Sequence, residues 1–183
     1  MNKLEFDVMW ESTGLQGAGS GVLRYSRKLH KGLSLLGCEP RIPTGPQGQF
    51  WKKVQRWTGG TSSASFTMKE WNKAFNNIGT NRRLVFHGLA NTNIPIFSHK
   101  EKNVKFVLTI HDIIPRRGPP FVSRFAWLKS LVFLPLALNR ADKVICVSEA
   151  TFCDLEKLFP LSRKKMTIIP NGFESRVEED TTK

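Results

Sequence analysis

Apolar residues recur along this chain with two different spacings. From residue 4 to residue 10 apolar and polar side chains alternate, which predicts a strand. From Val22 the apolar positions recur at steps of three and four residues until Gly37, which predicts a helix that stops at the glycine. Four further short apolar runs, each followed by strand-breaking residues, predict strands at residues 83 to 88, 103 to 110, 142 to 148 and 165 to 170.

Two further helices are predicted between these strands. The segment from residue 121 to residue 141 is strongly apolar, but its continuous run is shorter than the about 20 residues that a membrane span needs. Pro135 should kink or end this helix, because proline has no backbone N–H to donate. The next helix should begin after Ser148 as its N-cap and stop at Pro160. This alternation predicts an α/β domain with a Rossmann-like parallel sheet flanked by helices.

Composition narrows the class of partner. The 183 residues are 40% hydrophobic, which is enough for a folded core. Lys and Arg number 28 against 15 Asp and Glu, a net charge of +13, which favours an anionic partner such as a phosphate group, nucleic acid or an acidic membrane surface. The three cysteines lack the Cys-x-x-Cys spacing of zinc sites, and the N-terminus lacks the apolar region of a secretory signal. We therefore expect free thiols and a cytoplasmic location.

A glycine-rich loop, "TGLQGAGSG", lies between the first predicted strand and the first predicted helix. Backbone N–H groups at the start of a helix can bind a phosphate. The loop does not match the Gly-x-Gly-x-x-Gly pattern of dinucleotide-binding proteins in register, and it lacks the Gly-Lys-Ser/Thr end of a P-loop. Phosphate binding and a simple tight turn both remain open for this spacing.

The strand predicted at residues 103 to 110 is followed directly by His111 and Asp112. Ligands of parallel α/β sheets bind beyond the carboxyl ends of the strands, so this pair is a candidate site. A metal-dependent phosphohydrolase would need an all-helical surrounding, and a nucleophilic triad would need a Gly-x-Ser-x-Gly turn, which the sequence lacks. The pair should therefore either bind hydroxyls or orient a leaving group, or act structurally, with Asp112 as a cap and His111 as a histidine whose hydrogen bonds are satisfied within the protein.

Several segments, taken together, resemble the N-terminal half of a family-four glycosyltransferase. The segments are "GSGVLRYSRKLHKGLSLLG", "FVLTIHDIIP", "RADKVICVSEATFCDLEKLF" and "KMTIIPNGFE". In that family a glycine loop, a His-Asp pair at a strand end, a segment like "ADKVICVSE" and a terminal "PNG" occur in this order. The resemblance covers most of the chain except residues 46 to 80.

The resemblance implies a retaining sugar transferase with the two-domain glycosyltransferase B fold. In such enzymes the N-terminal domain receives the acceptor and the C-terminal domain binds the nucleotide-sugar donor, which is a substrate; no metal and no cofactor are implied. His111 would hydrogen-bond the transferred sugar or its acceptor as the catalytic residue, and Asp112 and His87 would bind or position the acceptor.

The same resemblance assigns two glycines and a domain boundary. Gly17 and Gly19 would approach the donor diphosphate, although this loop is longer than the Gly-Ile-Gly-Arg-Tyr form of many relatives. Asn171 and Gly172 would mark the crossing to the second domain.

Residues 1 to 172 would then form one Rossmann-like domain, with residues 46 to 80 as an irregular insertion and residues 173 to 183 as a linker or tail. The sequence has no counterpart of the C-terminal donor-binding domain, so we expect this chain alone to be an incomplete and inactive enzyme. Its acceptor should be a glycan or a lipid-linked molecule of the kind used in cell envelope polysaccharide biosynthesis.

A second interpretation stays open, in which the chain is a non-catalytic basic module that binds membrane or, less expectedly, nucleic acid. Within the insertion, residues 50 to 57 have the pattern of a short interfacial helix, with aromatic and basic side chains on different faces. We expect a peripheral contact with an anionic membrane surface, or else packing of the aromatic residues against the domain. The membrane contact would use Trp51, Lys52, Lys53, Arg56 and Trp57.

Overall fold

The computed structural model describes residues 6–10, 21–40, 83–96 and 102–172. The predicted insertion at residues 46 to 80, the tail at residues 173 to 183 and the two glycines assigned to the donor diphosphate lie outside the described residues. The predicted membrane segment at residues 50 to 57 also lies outside them.

A five-stranded sheet forms the centre of the described structure, and every neighbouring pair of its strands is parallel. Its strands follow one another in space in the order in which they occur along the chain. The predicted α/β class with a parallel sheet is therefore confirmed. The strands are β1 (Phe6–Trp10), β2 (Arg83–Gly88), β3 (Val104–Ile110), β4 (Lys143–Cys146) and β5 (Met166–Ile168).

In the described part of the chain, three α-helices accompany the sheet. They are α1 (Gly21–Leu35), α2 (Arg124–Arg140) and α3 (Glu149–Leu158), and two short 3-10 helices cover Ile114–Arg117 and Pro160–Lys165. The C-terminal end of α1 is fixed as the sequence predicts, because Gly37 has a φ of 73°. The N–H groups of Gly37 and Cys38 donate to the carbonyl groups of Ser34 and Leu33, at 2.9 Å each, which closes a Schellman motif.

Helix α2 does not end at Pro135 but continues to Arg140, so of the two expected effects of the proline the helix end is wrong, and the kink stays a prediction. Leu134 and Leu138, on either side of the proline, are buried in the core. Packing of that face stabilises the helix enough to offset the hydrogen bond that the proline cannot donate. Within the described residues, none of the helices combines the length and the hydropathy that crossing a membrane requires.

The sheet is covered by helices on both of its faces. Val8 and Trp10 of β1 belong to a small cluster that packs against Tyr25, Leu29 and Leu33 of α1. The intervening side chain, Met9, belongs to the larger core, which contains residues of α2 and α3. Alternate residues of a strand point to opposite faces, so α1 lies on one face of the sheet, and α2 and α3 lie on the other.

Different side chains of β2 and β3 point to the two faces of the sheet. Phe86 and Phe106 point into the larger core, with ring centroids 5.9 Å apart. His87 follows Phe86, and Thr109 lies between Leu108 and Ile110 of the same core, so the alternation of side chains along a strand points both of them towards α1. Because all strands are parallel, their carboxyl ends and the loops that follow lie on one edge of the sheet, where ligands of open α/β sheets bind.

Candidate functional site

His111 lies immediately after β3 and is fixed through its backbone by two other segments. Its N–H donates to Asn91 Oδ1, in the loop after β2, over 3.0 Å. Its carbonyl oxygen accepts from the Thr151 hydroxyl, in the first turn of α3, over 3.1 Å. These bonds use both backbone polar groups of the residue, so the position of His111 is set before any ligand arrives.

The imidazole ring of His111 is held as well. Its Nε2 lies 2.9 Å from the carbonyl oxygen of Leu89. The ring of Tyr25 packs edge-on against it, with ring centroids 5.1 Å apart and an interplanar angle of 85°. The ring is thus oriented by the loop after β2 on one side and by α1 on the other.

The bond to Leu89 decides which ring nitrogen is available. A carbonyl oxygen only accepts, so Nε2 must carry a proton and donate it. In the neutral ring Nδ1 then holds a lone pair, and it makes no hydrogen bond with the described residues. His111 is only half-buried at this edge of the sheet. It therefore presents a hydrogen-bond acceptor suited to a hydroxyl group.

His87, in β2, is placed quite differently. It is 7% exposed, and its Nε2 lies 2.8 Å from the Thr109 hydroxyl, which in turn lies 3.1 Å from the Tyr25 hydroxyl. Burial, and to a smaller extent repulsion from nearby His111 when that ring is protonated, lowers the pKa of His87 to about 4, so the His87 ring is neutral at pH 7. This geometry favours a positioning role for His87 over direct contact with an acceptor.

The Thr109 hydroxyl links the side chains of Tyr25 and His87 in a buried series of hydrogen bonds. Burial raises the pKa of Tyr25, so its phenol stays protonated at neutral pH. Both Tyr25 and His87 end at the one hydroxyl of Thr109, and Tyr25 also contacts the His111 ring. These hydrogen bonds connect α1 to β2 and β3 near the carboxyl ends of the two strands.

Asp112 makes a local bond at the strand end. Its Oδ1 accepts from the backbone N–H of Ile114 over 3.0 Å, which closes a turn leading into the 3-10 helix. The capping role left open by the sequence is therefore present. Contact between Asp112 and an acceptor stays a prediction. Such a contact has room to form, because the carboxylate has a second oxygen and the side chain is only half-buried.

Gly88 lets the loop after β2 fold back onto its own strand. A Cβ at this position would lie 2.6 Å from Ile94 Cγ2 and would collide with the backbone of Asn93. Only a residue without a side chain fits such an approach. The same fold-back brings the Leu89 carbonyl and the Asn91 amide to His111.

The start of α3 is fixed by Ser148, as the sequence predicts. Its Oγ accepts from the Thr151 N–H over 3.1 Å, which caps the helix, and Thr151 then reaches the backbone of His111.

Nearby Cys146, at the end of β4, is buried, and burial raises its pKa to about 11. Its thiol is therefore protonated at neutral pH and is not poised as a nucleophile.

In a comparison with known protein families, the chain matches the model of Glycosyltransferase Family 4 over residues 19–176. The chain belongs to glycosyltransferase family 4. No curated protein matches it. The matched range contains β3, His111 and Ser148, so the family assignment and the site described above fall in the same part of the chain. The parallel sheet has the architecture expected of one half of a glycosyltransferase B fold.

The family 4 match extends beyond β5, where Asn171 and Gly172 follow as exposed residues at the end of the described range. Their role at a domain crossing stays a prediction. Gly17 and Gly19, and the aromatic and basic residues between 50 and 57, lie outside the described residues, so the site is built without them. Among the residues that are described, no group of three or more His, Cys, Asp or Glu is placed to hold a metal ion.

Sequence reasoning found His111, His87 and Asp112 but missed the residues that hold them. Tyr25 is the only tyrosine of this family 4 chain, and it lies on the apolar face of α1, where its hydroxyl needs a partner. Thr109 interrupts the apolar run of β3, which is a signal of the same kind. Asn91 and Thr151 act through loop and helix-start geometry, which spacing along the chain does not reveal.

Proposed function

We propose that this chain supplies the acceptor-binding half of a retaining glycosyltransferase, which moves a sugar from a nucleotide-sugar donor to a glycan or lipid-linked acceptor. Membership of family 4 over residues 19–176 supports the transferase activity. The excess of basic residues, a net charge of +13, supports an acceptor or a membrane surface that carries negative charge.

The observation that carries this proposal is the orientation of His111. Its Nε2 is occupied by the Leu89 carbonyl, and its Nδ1 makes no hydrogen bond among the described residues. Sugars present hydroxyl groups, and a fixed imidazole acceptor at the end of a parallel strand suits their recognition. Because backbone bonds, the ring contact with Tyr25 and the Leu89 bond fix the ring in advance, little ordering is left to the moment of binding.

The transfer breaks the bond between the anomeric carbon of the sugar and the diphosphate oxygen, and forms a bond from that carbon to an acceptor hydroxyl. The departing diphosphate keeps the electron pair of the broken bond and takes up the proton that the hydroxyl loses. We assign to His111 the role of holding a hydroxyl of the reacting sugar or of the acceptor. Asp112 and His87 would position the acceptor, His87 by acting through Thr109.

The donor side of the proposal follows the family resemblance. A second domain would bind the nucleotide-sugar, Gly17 and Gly19 would face its diphosphate, and the chain would cross between domains near Asn171 and Gly172. No cofactor or metal is proposed. We place the enzyme in the cytoplasm, peripherally at the inner face of the membrane, in a step of cell envelope polysaccharide biosynthesis.

A transfer assay tests the proposal. The chain is incubated with a panel of nucleotide-sugars and with glycan and lipid-linked acceptors, alone and together with a donor-binding domain encoded beside it. We expect a product whose anomeric configuration matches the donor, and only when the donor-binding domain is present. Absence of transfer in every combination, or an inverted product, would overturn the function, and robust turnover by the chain alone would overturn the half-enzyme assignment.

A further inference from the structure

Helix α2 exposes a row of large apolar side chains on the side that faces away from the sheet. Their exposed fractions lie between 38% and 56%. We call these four residues the apolar stripe. They are Phe125, Leu128, Val132 and Leu136.

The stripe is unusual because the opposite side of α2 is apolar as well. Ser130, Leu134, Ala137 and Leu138 form the buried side, and at 100° per residue they point about 180° away from the centre of the stripe. An ordinary surface helix is polar on its outer side, whereas a helix that is apolar all round is normally covered. We therefore expect the exposed side of α2 to be covered by a partner whose contacting surface is also apolar.

Basic residues border the stripe on both sides. On a regular helix the four stripe positions fall within an arc of about 80°, with Arg124 on one side of it and Lys129 on the other. The stripe from its first to its last residue extends about 16 Å along the helix axis. Apolar side chains bordered by cations form the arrangement of a helix that lies in the plane of a membrane interface.

Helix α2 and the segment that leads into it carry charge of one sign. From residue 113 to residue 141 the sequence has five basic residues and no Asp or Glu, and the nearest acidic residues in sequence are Asp112 before this range and Asp142 after it. Arg117 pairs with Asp154 across 3.7 Å, and the Arg140 guanidinium lies 4.7 Å from the centre of the Phe106 ring. Arg124 is exposed and Lys129 is half-buried, with its pKa lowered by that burial, and neither makes an ion pair with a described residue, so no described carboxylate competes with an anionic surface for these two cations.

We propose that the apolar stripe of α2 docks on an anionic lipid bilayer, with the helix lying in the interface, its apolar side chains at the acyl boundary, and Arg124 and Lys129 against the headgroups. An anionic bilayer matches both the apolar stripe and the cations that border it, because its acyl region is apolar and its headgroups are negatively charged. A second copy of this chain answers them less well, since a symmetric contact would bring the same basic residues of two highly positive molecules together.

This inference names a surface for the peripheral location that forms part of the proposed function, and it rests on the proposed function only for that location. It differs from the predicted contact at residues 50 to 57, which lie outside the described part of the chain. Vesicle binding is measured without any sugar, so the docking surface can fail while the transferase assignment stands, and the reverse also holds.

Vesicle co-sedimentation tests the surface. The wild type is mixed with vesicles of equal parts phosphatidylcholine and phosphatidylglycerol, and with vesicles of phosphatidylcholine alone. The double variant Leu128→Gln/Val132→Gln should bind the anionic vesicles at least about tenfold more weakly, because two apolar side chains no longer enter the interface. Both positions are exposed, so folding should be preserved, and circular dichroism checks this.

The matched control is Leu35→Gln/Leu161→Gln, which removes two apolar side chains that are 73% and 89% exposed but lie outside the stripe. This control should bind as the wild type does. The proposal is overturned if the wild type ignores anionic vesicles, if the stripe variant binds as well as the control, or if the wild type forms dimers that the stripe variant does not form.

A fluorescent label locates the contact directly. Cys153 is the exposed thiol of the chain, while Cys38 and Cys146 are buried, so Cys153→Ser removes the reactive background. In that background Val132→Cys, labelled with an environment-sensitive dye, should shift its emission to shorter wavelength when anionic vesicles are added. Leu161→Cys with the same label should show no shift, and equal shifts at both positions would overturn the docking geometry.

Discussion

His87 and His111 lie at the carboxyl ends of neighbouring parallel strands, yet the structure treats them in opposite ways. His87 is the next-to-last residue of β2, buried, and bonded through Nε2 to a side chain of β3. His111 is the first residue after β3, half-buried, and bonded through Nε2 to a backbone carbonyl. The same side chain is thus part of the sheet interior in one case and of its rim in the other.

We propose that position relative to the strand end decides the role of each ring. Inside the sheet, an imidazole must be neutral and must find a partner, so β3 provides Thr109 and α1 provides Tyr25. One step beyond the strand, Asn91 and Thr151 hold the backbone of His111, and the Leu89 carbonyl and the Tyr25 ring hold its imidazole while one nitrogen stays available. We therefore regard His87 as a positioning residue and His111 as the group that meets the substrate.

The sharpest way to break this comparison is to remove the His111 ring. In the enzyme assembled with its donor-binding domain, His111→Ala should lower the transfer rate at least about a hundredfold, the usual effect of losing one positioned polar group at a reaction centre. The free energy of unfolding should change far less, because the backbone bonds of residue 111 remain. Transfer kinetics and urea unfolding measure the two effects.

His30→Ala is the matched control for that experiment, since it removes another half-buried imidazole, whose partners on the α1 side are Ser34, the Trp10 ring and the Glu39 carboxylate. We expect it to transfer at nearly the wild-type rate. If both variants transfer equally well, His111 has only a structural role, and the contrast with His87 disappears.

The second prediction concerns the proton of His87. Its pKa is about 4 in the folded protein against 6.5 in the unfolded chain, so the unfolded state binds the proton first as the pH falls. Stability is therefore lost below about pH 6.5, and between about pH 7.5 and about pH 5 this one group should cost about 2 kcal/mol. Above about pH 7 it should contribute no pH dependence.

Urea unfolding across this pH range measures the effect. His87→Gln keeps a polar group near Thr109 but does not titrate, so its stability should fall by about 2 kcal/mol less than that of the wild type over the same interval. Parallel pH profiles for the two proteins would show that His87 takes up its proton in the folded state, which would contradict a buried neutral ring.

Most of the fold follows from apolar spacing alone. β2 occupies the predicted residues 83 to 88, and the helix ends at Gly37 and Ser148 are where cap residues predict them. These features depend on local chemistry, which a sequence displays. The continuation of α2 through Pro135 depends instead on packing against the sheet, which spacing does not display.

The candidate site is predicted less completely, for a related reason. His111 stands out because a polar residue follows a buried strand. Its orientation depends on a carbonyl group of Leu89 and on Tyr25, which is 86 positions before it in the chain. Contacts between distant segments, and the choice of which imidazole nitrogen donates, arise only when the elements pack.

A third prediction sharpens the comparison by removing the Thr109 hydroxyl, which bonds to His87 and to Tyr25, the residue that packs against His111. Thr109→Val keeps the shape of the side chain but leaves Tyr25 and His87 without their shared partner, so we expect a loss of about 1–2 kcal/mol in the free energy of unfolding. Thr109→Ser keeps the hydroxyl and should lose less. If Ser and Val are equally destabilising, the methyl group and not the hydrogen bonds holds this position.

The smallest effect should come from Asp112, next to His111, where the sequence leaves a cap and an acceptor contact open. Asp112→Ala removes the bond from the Ile114 N–H and should cost about 0.5–1 kcal/mol of stability, whereas Asp112→Asn keeps an oxygen that accepts this bond and should cost almost nothing. Urea unfolding measures both. The Asn variant then separates the two roles, because it retains the turn but loses the carboxylate charge. A normal KM for the acceptor in Asp112→Asn limits Asp112 to capping, and a raised KM at unchanged stability means that its carboxylate meets the acceptor beside the fixed ring of His111.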